Sequence, residues 1–205
     1  MKKPSSRYHE AAFYEEKNEI DDTIITNRKF IDYELENLSE LITFEDCIFE
    51  NCSFLNTFNN ISFYNCMFDK CEFSNSMFIN ISFIKCKTIN CRMIGTNIID
   101  SKINYSDILD SNLSYSNINS NMVSNTIIKN SNFNESSINA ITLETIELID
   151  NNFNNSEVYE TNLSNIDITS NKIEGISINP SCVRGMICDE IQAITLIGIL
   201  GIKIK

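Results

Sequence analysis

The sequence predicts an all-β solenoid: a coil of square cross-section built from five-residue sides, with a short α-helix at its C-terminal end. A period carries the first part of that prediction. An apolar residue recurs at every fifth position from Phe44 to Val183, with one four-residue step between Phe54 and Phe58. Of the 29 centres so defined only Thr88 is not hydrophobic, whereas an apolar fraction of 42% would make about 12 of them so by chance. The position two residues before each centre is equally restricted. It holds Cys, Ser, Thr, Asn or Ile, and never a charged or aromatic residue. Two inward positions out of five fit neither the 3.6-residue period of a helix nor the two-residue period of a strand. A second period, of 20 residues, relates Cys66 to Cys86, Cys71 to Cys91, Ile61 to Ile81 and Phe133 to Phe153. Four sides of five residues close one coil, so like residues stack in columns and the backbone pairs with the coils above and below. At an inter-strand spacing of about 4.8 Å, about seven coils give a rod roughly 34 Å long.

The elements follow in chain order. Residues 1–27 lack the five-residue pattern and crowd Glu15, Glu16, Lys17, Glu19, Asp21 and Asp22 together; they are expected to form a partly ordered N-terminal arm. Residues 28–183 are expected to form the β-helix. Its first coil, 28–43, is irregular, with Phe30 and Leu35 five apart and a slip before Ile42. Such a coil caps the open end, where a regular one would leave an unpaired strand edge. Pro180, the only proline after Pro4, stands where the repeat ends. In residues 184–205 the period changes: Asp189 suits an N-cap, Gln192 completes a capping box, and Gly201 suits the residue after the helix. Between them Ile191, Ile194, Leu196, Ile197, Ile199 and Leu200 make the helix apolar over more than half its surface. One rod end is too small to cover all of it, which leaves an end cap and a dimer seam as the two readings.

Composition excludes several functions. The net charge of −12 rules against direct nucleic-acid binding, which depends on neutralising phosphates with Lys and Arg. No run of 18 apolar residues occurs, and "MKKPSSRYHE" leads into no apolar signal region, so no membrane association and a soluble, cytoplasmic protein are expected. Six of the eight cysteines occupy the restricted inward position, Cys47, Cys66 and Cys86 in one column and Cys52, Cys71 and Cys91 in the next. There they read as reduced thiols acting as small core hydrophobes. No CxxC-type pair exists for zinc, and no disulfide, metal or cofactor is expected. The only histidine, His9, lies in the polar arm, so no Ser-His or Cys-His arrangement can be built within the coils. Paired carboxylates such as Glu157 and Glu160 would sit on a smooth rod without a concavity to exclude water. The chain is not expected to be an enzyme.

The runs "FENCSF", "FYNCMFDKCEF" and "SNLSYSNI" resemble pentapeptide-repeat proteins, which form right-handed quadrilateral β-helices; the resemblance covers residues 44–183. The strings "NCRMIGTNI" and "SNLSYSNI", with the tail "GMICDEIQAITLIGILGIKI", are similar to the Qnr-type quinolone-resistance branch, whose members end in a helix and short apolar strand. That resemblance implies a homodimer through the C-terminal helix, with Ile191, Ile194, Leu196, Ile197 and Leu200 at the seam. It also implies a type II DNA topoisomerase, gyrase or topoisomerase IV, as partner, bound through DNA mimicry and with protection from quinolones or related poisons. Many members of that branch interrupt their coils with projecting loops, whereas the register here runs unbroken from Phe58 to Val183. A structural or scaffold solenoid with an unrelated cytoplasmic protein partner is the other reading.

One side of the predicted rod is the candidate binding face. The centres Phe68, Thr88, Ile108, Ile128, Leu148 and Ile168 define it, and Asp69, Asp107, Asp110, Glu147, Asp150 and Asp167 surround them, against Lys70, Lys87 and Lys129. The side centred on Phe63, Phe83, Ile103, Val123, Leu143 and Leu163 carries only Glu144, with Lys85 and Lys102. From Ile42 to Val183 there are 16 acidic and 7 basic residues, net −9, while a duplex of that length carries about 20 negative charges. Mimicry by charge would therefore be partial, with shape and specific contacts supplying the rest.

Overall fold

The structure, a computed structural model, describes Pro4 and residues 7–10, 14–17, 19–39, 41–199 and 201–202. It is a parallel β-solenoid of about eight turns with one short C-terminal helix. Each coil has four sides, here numbered by the columns that begin at Phe63, Phe68, Phe73 and Phe78. The corners explain the asparagine content. The residue two after each centre takes a left-handed backbone, from Asn27 at φ 53° to Asn165 at φ 63°. Of the 27 non-glycine residues that do so, 18 are Asn or Asp, the side chains that tolerate this region best. Gly95 takes the same corner at φ 67°, and a Cβ there would lie 2.8 Å from the Asn75 Oδ1 one coil below, so glycine is required twice over.

Sides one and two belong to one 13-stranded parallel sheet, and side four is an eight-stranded sheet. Met122–Lys129 and Thr142–Ile149 run unbroken through the corner between sides one and two. Side three is held differently. Single parallel bridges link Glu72, Arg92, Asn112, Asn132, Asn152 and Lys172 in succession, and in these coils side three ends in a turn such as Phe73–Ser76, where the Ser76 N–H donates to the Phe73 carbonyl at 3.1 Å. Asn75, third in that turn, has φ 60°, as a type II turn requires.

Register confirms the columns. Phe63 pairs with Phe83 and Phe83 with Ile103, Thr88 lies between Phe68 and Ile108, and Ile98 pairs with Ile118. The four-residue step reduces the first interval to 19, so Ile42 pairs with Ile61 and Phe49 with Phe68. Phenylalanine fills the interior from Phe30 to Phe83. Rings stack within columns, Phe30 on Phe49 at 4.9 Å and Phe49 on Phe68 at 5.0 Å, and meet edge to face across the coil, as Phe63 and Phe68 do at 5.1 Å. Offset stacks and T-shaped pairs are the arrangements aromatic quadrupoles favour.

The restricted position has an equally local cause: its side chain bridges coils. Asn121 Oδ1 accepts from the Ser101 backbone N–H at 2.7 Å while its Nδ2 donates to the Ile98 carbonyl at 2.8 Å. Asn151 does the same for Ser131 and Ile128, and Ser106 and Ser111 cap the Cys86 and Cys91 amides. In the cysteine columns the thiol points at a carbonyl instead, Cys66 Sγ toward the Phe44 oxygen at 3.3 Å. Backbone groups buried inside a coil need such partners, and only a small, uncharged side chain fits there.

Two ends differ from the sequence reading. The coils begin inside the stretch assigned to the arm: Ile24–Thr26 pairs with Ile42–Glu45, and Ile25 is fully buried in the Phe44 column. Ile25, Phe30 and Leu35 are themselves five apart, so the period starts one coil earlier. Glu15–Glu16 adds a further short strand beside Arg28–Ile31, and residues 7–10 lie across the corner between sides one and two. There the His9 backbone exchanges hydrogen bonds with the Asn65 side chain at 3.0 and 2.9 Å, and Arg7 stacks over Tyr105 at 4.2 Å. At the other end, α1 spans Glu190–Ile199, and no strand follows it among the described residues.

Candidate partner-binding face and C-terminal cap

Side two presents two outward columns and a corner column. In the first, Met67, Lys87, Asp107, Ile127 and Glu147 stack in register, and Asp167 stands one coil further on, bridged to Ile187. In the second, Asp69, Ile89, Leu109, Lys129 and Ile149 stack. Lys70, Asp110 and Asp150 occupy the corner at φ 54°, 48° and 53°. All six sequence-predicted acids therefore share one side, as expected, spread along its columns. Asp107 and Glu147 are two coils apart, roughly 10 Å at the usual strand spacing.

The acids differ in their surroundings. Lys70 lies 3.8 Å from Asp69, and Asn90 donates to the same carboxylate at 3.3 Å. Asn130 donates to Asp110 at 3.0 Å. The Thr169 backbone N–H and hydroxyl, at 3.0 and 2.8 Å, hold the Asp167 carboxyl below the usual carboxylate range. Asp107 and Glu147 are half-buried, whereas Asp110, Asp150 and Asp167 are exposed. Four outward apolar residues lie among them on successive coils, Ile89, Leu109, Ile127 and Ile149, all half-buried. Charge alone does not reveal this apolar strip; its signal in the sequence is an aliphatic residue flanking each of four consecutive centres, Thr88, Ile108, Ile128 and Leu148.

The C-terminal cap is built on the expected capping box. The Gln192 backbone N–H donates to Asp189 Oδ1 at 2.8 Å, and the Asp189 N–H donates to Gln192 Oε1 at 3.1 Å. Gln192 has a second role that composition hides. Its Nε2 donates to the Ile168 and Asn171 carbonyls at 2.8 and 2.7 Å, so a buried side chain terminates the last coil. Of the five residues assigned to a dimer seam, Ile191 and Ile194 are 77% and 58% exposed, while Leu196 packs against the core and Ile197 is half-buried. Leu200 lies outside the described residues. Ile187 before the helix and Ile202 after it are exposed as well.

All eight cysteines are free and seven are buried; burial pushes the Cys66 thiol well up. Among the described residues no group of three or more His, Cys, Asp or Glu is placed to hold a metal ion. No helix among them is long and apolar enough to cross a membrane.

No protein-family model and no curated protein matches the sequence. Among solved structures, full-length QnrB1, a plasmid-mediated fluoroquinolone resistance protein, aligns at TM-score 0.39 and 14% identity over 87% of this chain and 99% of that one. A trypsin-treated QnrB1 variant aligns at 0.35 and 18%, over 89% and 91%. HetL, a pentapeptide repeat protein involved in heterocyst differentiation regulation from the cyanobacterium Nostoc, aligns at 0.33 and 8%, over 80% and 87%. The five-residue sides, the 20-residue register and the paired inward positions of its own coils make this chain a pentapeptide-repeat β-solenoid.

Proposed function

We propose that this solenoid is a non-enzymatic, cytoplasmic protein of the Qnr type that binds a type II DNA topoisomerase, gyrase or topoisomerase IV, through side two, as a partial mimic of DNA. The observation that carries the reading is the placement of Asp107, Asp110, Glu147, Asp150 and Asp167 on one side of the solenoid. A long-range negative field of this kind steers a partner whose groove is built for phosphates. Protection of the enzyme from quinolones is the further step of the same reading.

The seam of a homodimer is assigned to the exposed part of the cap, Ile191 and Ile194 with Ile187 and Ile202 beside them. Leu196 is excluded from its centre by its packing inward. Sedimentation of Ile191→Glu combined with Ile194→Glu tests this: monomers are expected, and an unchanged mass places the seam elsewhere.

A second reading, a scaffold for another cytoplasmic protein, is favoured by the strip of Ile89, Leu109, Ile127 and Ile149 and by Lys87 and Lys129 within the same columns. A duplex has no counterpart to either. Supercoiling by purified gyrase, titrated with the protein in the presence and absence of ciprofloxacin, separates the two. The topoisomerase reading predicts inhibition without the drug, or restored supercoiling with it; no effect in either arm leaves the scaffold reading.

A further inference from the structure

We propose that the interior of the C-terminal half holds a binding site for a small apolar molecule, of the size of xenon or a short alkane. The sequence creates it. From Phe30 to Phe83 nearly every centre is phenylalanine, whereas from Met93 to Ile178 most are Ile, Leu or Val. Five residues per side fix the perimeter of the coil, and strand register fixes the distance between coils. The backbone therefore has no freedom to contract around smaller side chains, and the lost ring volume remains as space.

Three observations locate that space. A cavity of about 120 Å³ runs along the aliphatic half, lined by residues such as Ile98, Ile118, Ile138 and Leu143, and ends against Met186 and Leu196 beneath the helical cap. The inward centres report it too: Phe44, Phe49, Phe58 and Phe68 have no accessible surface, while Ile103 and Ile108 keep 7% and 8% although they point inward. Finally, the wall is almost wholly hydrocarbon, with Thr161 the exception. The Thr161 hydroxyl is engaged, accepting from the Ile141 N–H at 3.1 Å and donating to the Tyr159 carbonyl at 2.9 Å. Asn121 and Asn151 likewise spend their amides on the backbone.

Water needs two to four polar partners to occupy such a space, and apolar cavities of about 150 Å³ stay dry and accept benzene or xenon. This cavity is comparable in size and chemistry. Its guest is selected by dispersion and shape alone, so the class is small, uncharged and without hydrogen-bonding groups. Leu196, which lines the end of the cavity from α1, places the way in at the cap, where opening one short helix breaks the Gln192 bonds to the Ile168 and Asn171 carbonyls and leaves the strand pairing between coils intact.

Xenon is the probe. Crystals of the full chain pressurised with xenon are expected to show it between the coils of Ile98 and Leu143, and solution 129Xe resonance to show a saturable shift. Ile118→Phe with Ile138→Phe places a second pair of rings in the column of Phe58 and Phe78, beyond Ile98 and inside the cavity, at the spacing of that first pair, 5.0 Å. That variant should lose the xenon shift and melt no lower than the wild type. Absence of xenon from the wild-type interior overturns the proposal, as does an undiminished shift in a folded filled variant. If the filled variant does not fold, the xenon position in the wild-type crystal alone decides.

Discussion

The two halves of the rod share one backbone plan and differ in what fills it. In the N-terminal half four columns of phenylalanine interlock, and every phenylalanine ring from Phe30 to Phe78 is buried, with Phe83 at the boundary partly so. In the C-terminal half aliphatic centres leave a cavity, and small-position Asn, Ser and Thr tie coil to coil through the backbone. The charges of side two divide at the same boundary. In the aromatic half they cancel, Lys29 against Glu50 at 2.7 Å and Lys70 against Asp69 at 3.8 Å. From Lys87 onward five acids, Asp107, Asp110, Glu147, Asp150 and Asp167, face two lysines, Lys87 and Lys129, a net of −3. The solenoid thus separates a densely packed foundation from the part that presents the candidate binding surface.

Truncating a packed ring is the largest expected blow. Phe68→Ala should lower the urea-derived unfolding free energy by about 4 kcal/mol, while Ile118→Ala should cost about 2 kcal/mol, because losses grow with the side-chain volume removed and the cavity created. Equal losses would erase the proposed contrast in packing. Next in size is the amide bridge. Asn151→Ala strands the Ser131 N–H and Ile128 carbonyl and is expected to cost roughly 1–3 kcal/mol. Cys71→Ala in the aromatic half removes only weak S–H contacts and should cost less. If the cysteine change is the costlier, the coils are held together mainly by volume and not by these bridges.

Much of this architecture was legible. The five- and 20-residue periods gave the sides, the columns and the thiol stacks, because a solenoid repeats one local solution and each repeat multiplies the signal; the capping box followed from the three-residue spacing of Asp189 and Gln192. The unseen parts occur once. Nothing periodic marks the docking of His9 on Asn65 or the plug formed by Gln192, since each depends on a distant segment arriving at one place. The start of the coils at Ile24 was hidden by the charged residues around it. For the candidate face, the stacking of the acids and of Lys70, Lys87 and Lys129 among them followed from arithmetic, but the aliphatics that share their columns became visible as one surface only when the coils were assembled.

Chemical probes sharpen the comparison further. In the native protein a thiol reagent such as dithionitrobenzoate should react readily with the half-buried Cys188 alone, and the six column thiols should appear only on unfolding, since burial holds Cys66 in its neutral, unreactive form. Fast reaction of column thiols would mean that the aromatic half opens easily. The smallest effect is at a corner. Thr145 is β-branched yet sits at φ 55°, where such residues are strained. Thr145→Asn should raise stability by about 1 kcal/mol, seen as a higher melting temperature.

The central functional claim rests on which half carries the binding charge, and one paired measurement reaches it directly. Gyrase binding would be titrated for the wild type, for a variant with Asp107, Asp110, Glu147, Asp150 and Asp167 changed to Lys, and for a control with Glu34, Glu36, Glu45, Glu50 and Glu72 changed to Lys. All three would be verified for native circular dichroism and compared at low and physiological salt. The account predicts that the first variant loses most of its affinity, that the control keeps it, and that wild-type binding weakens as salt rises, because exposed charges are screened over about 8 Å at physiological ionic strength. Equal binding by all three proteins would contradict it and make the acidic side a solvated surface.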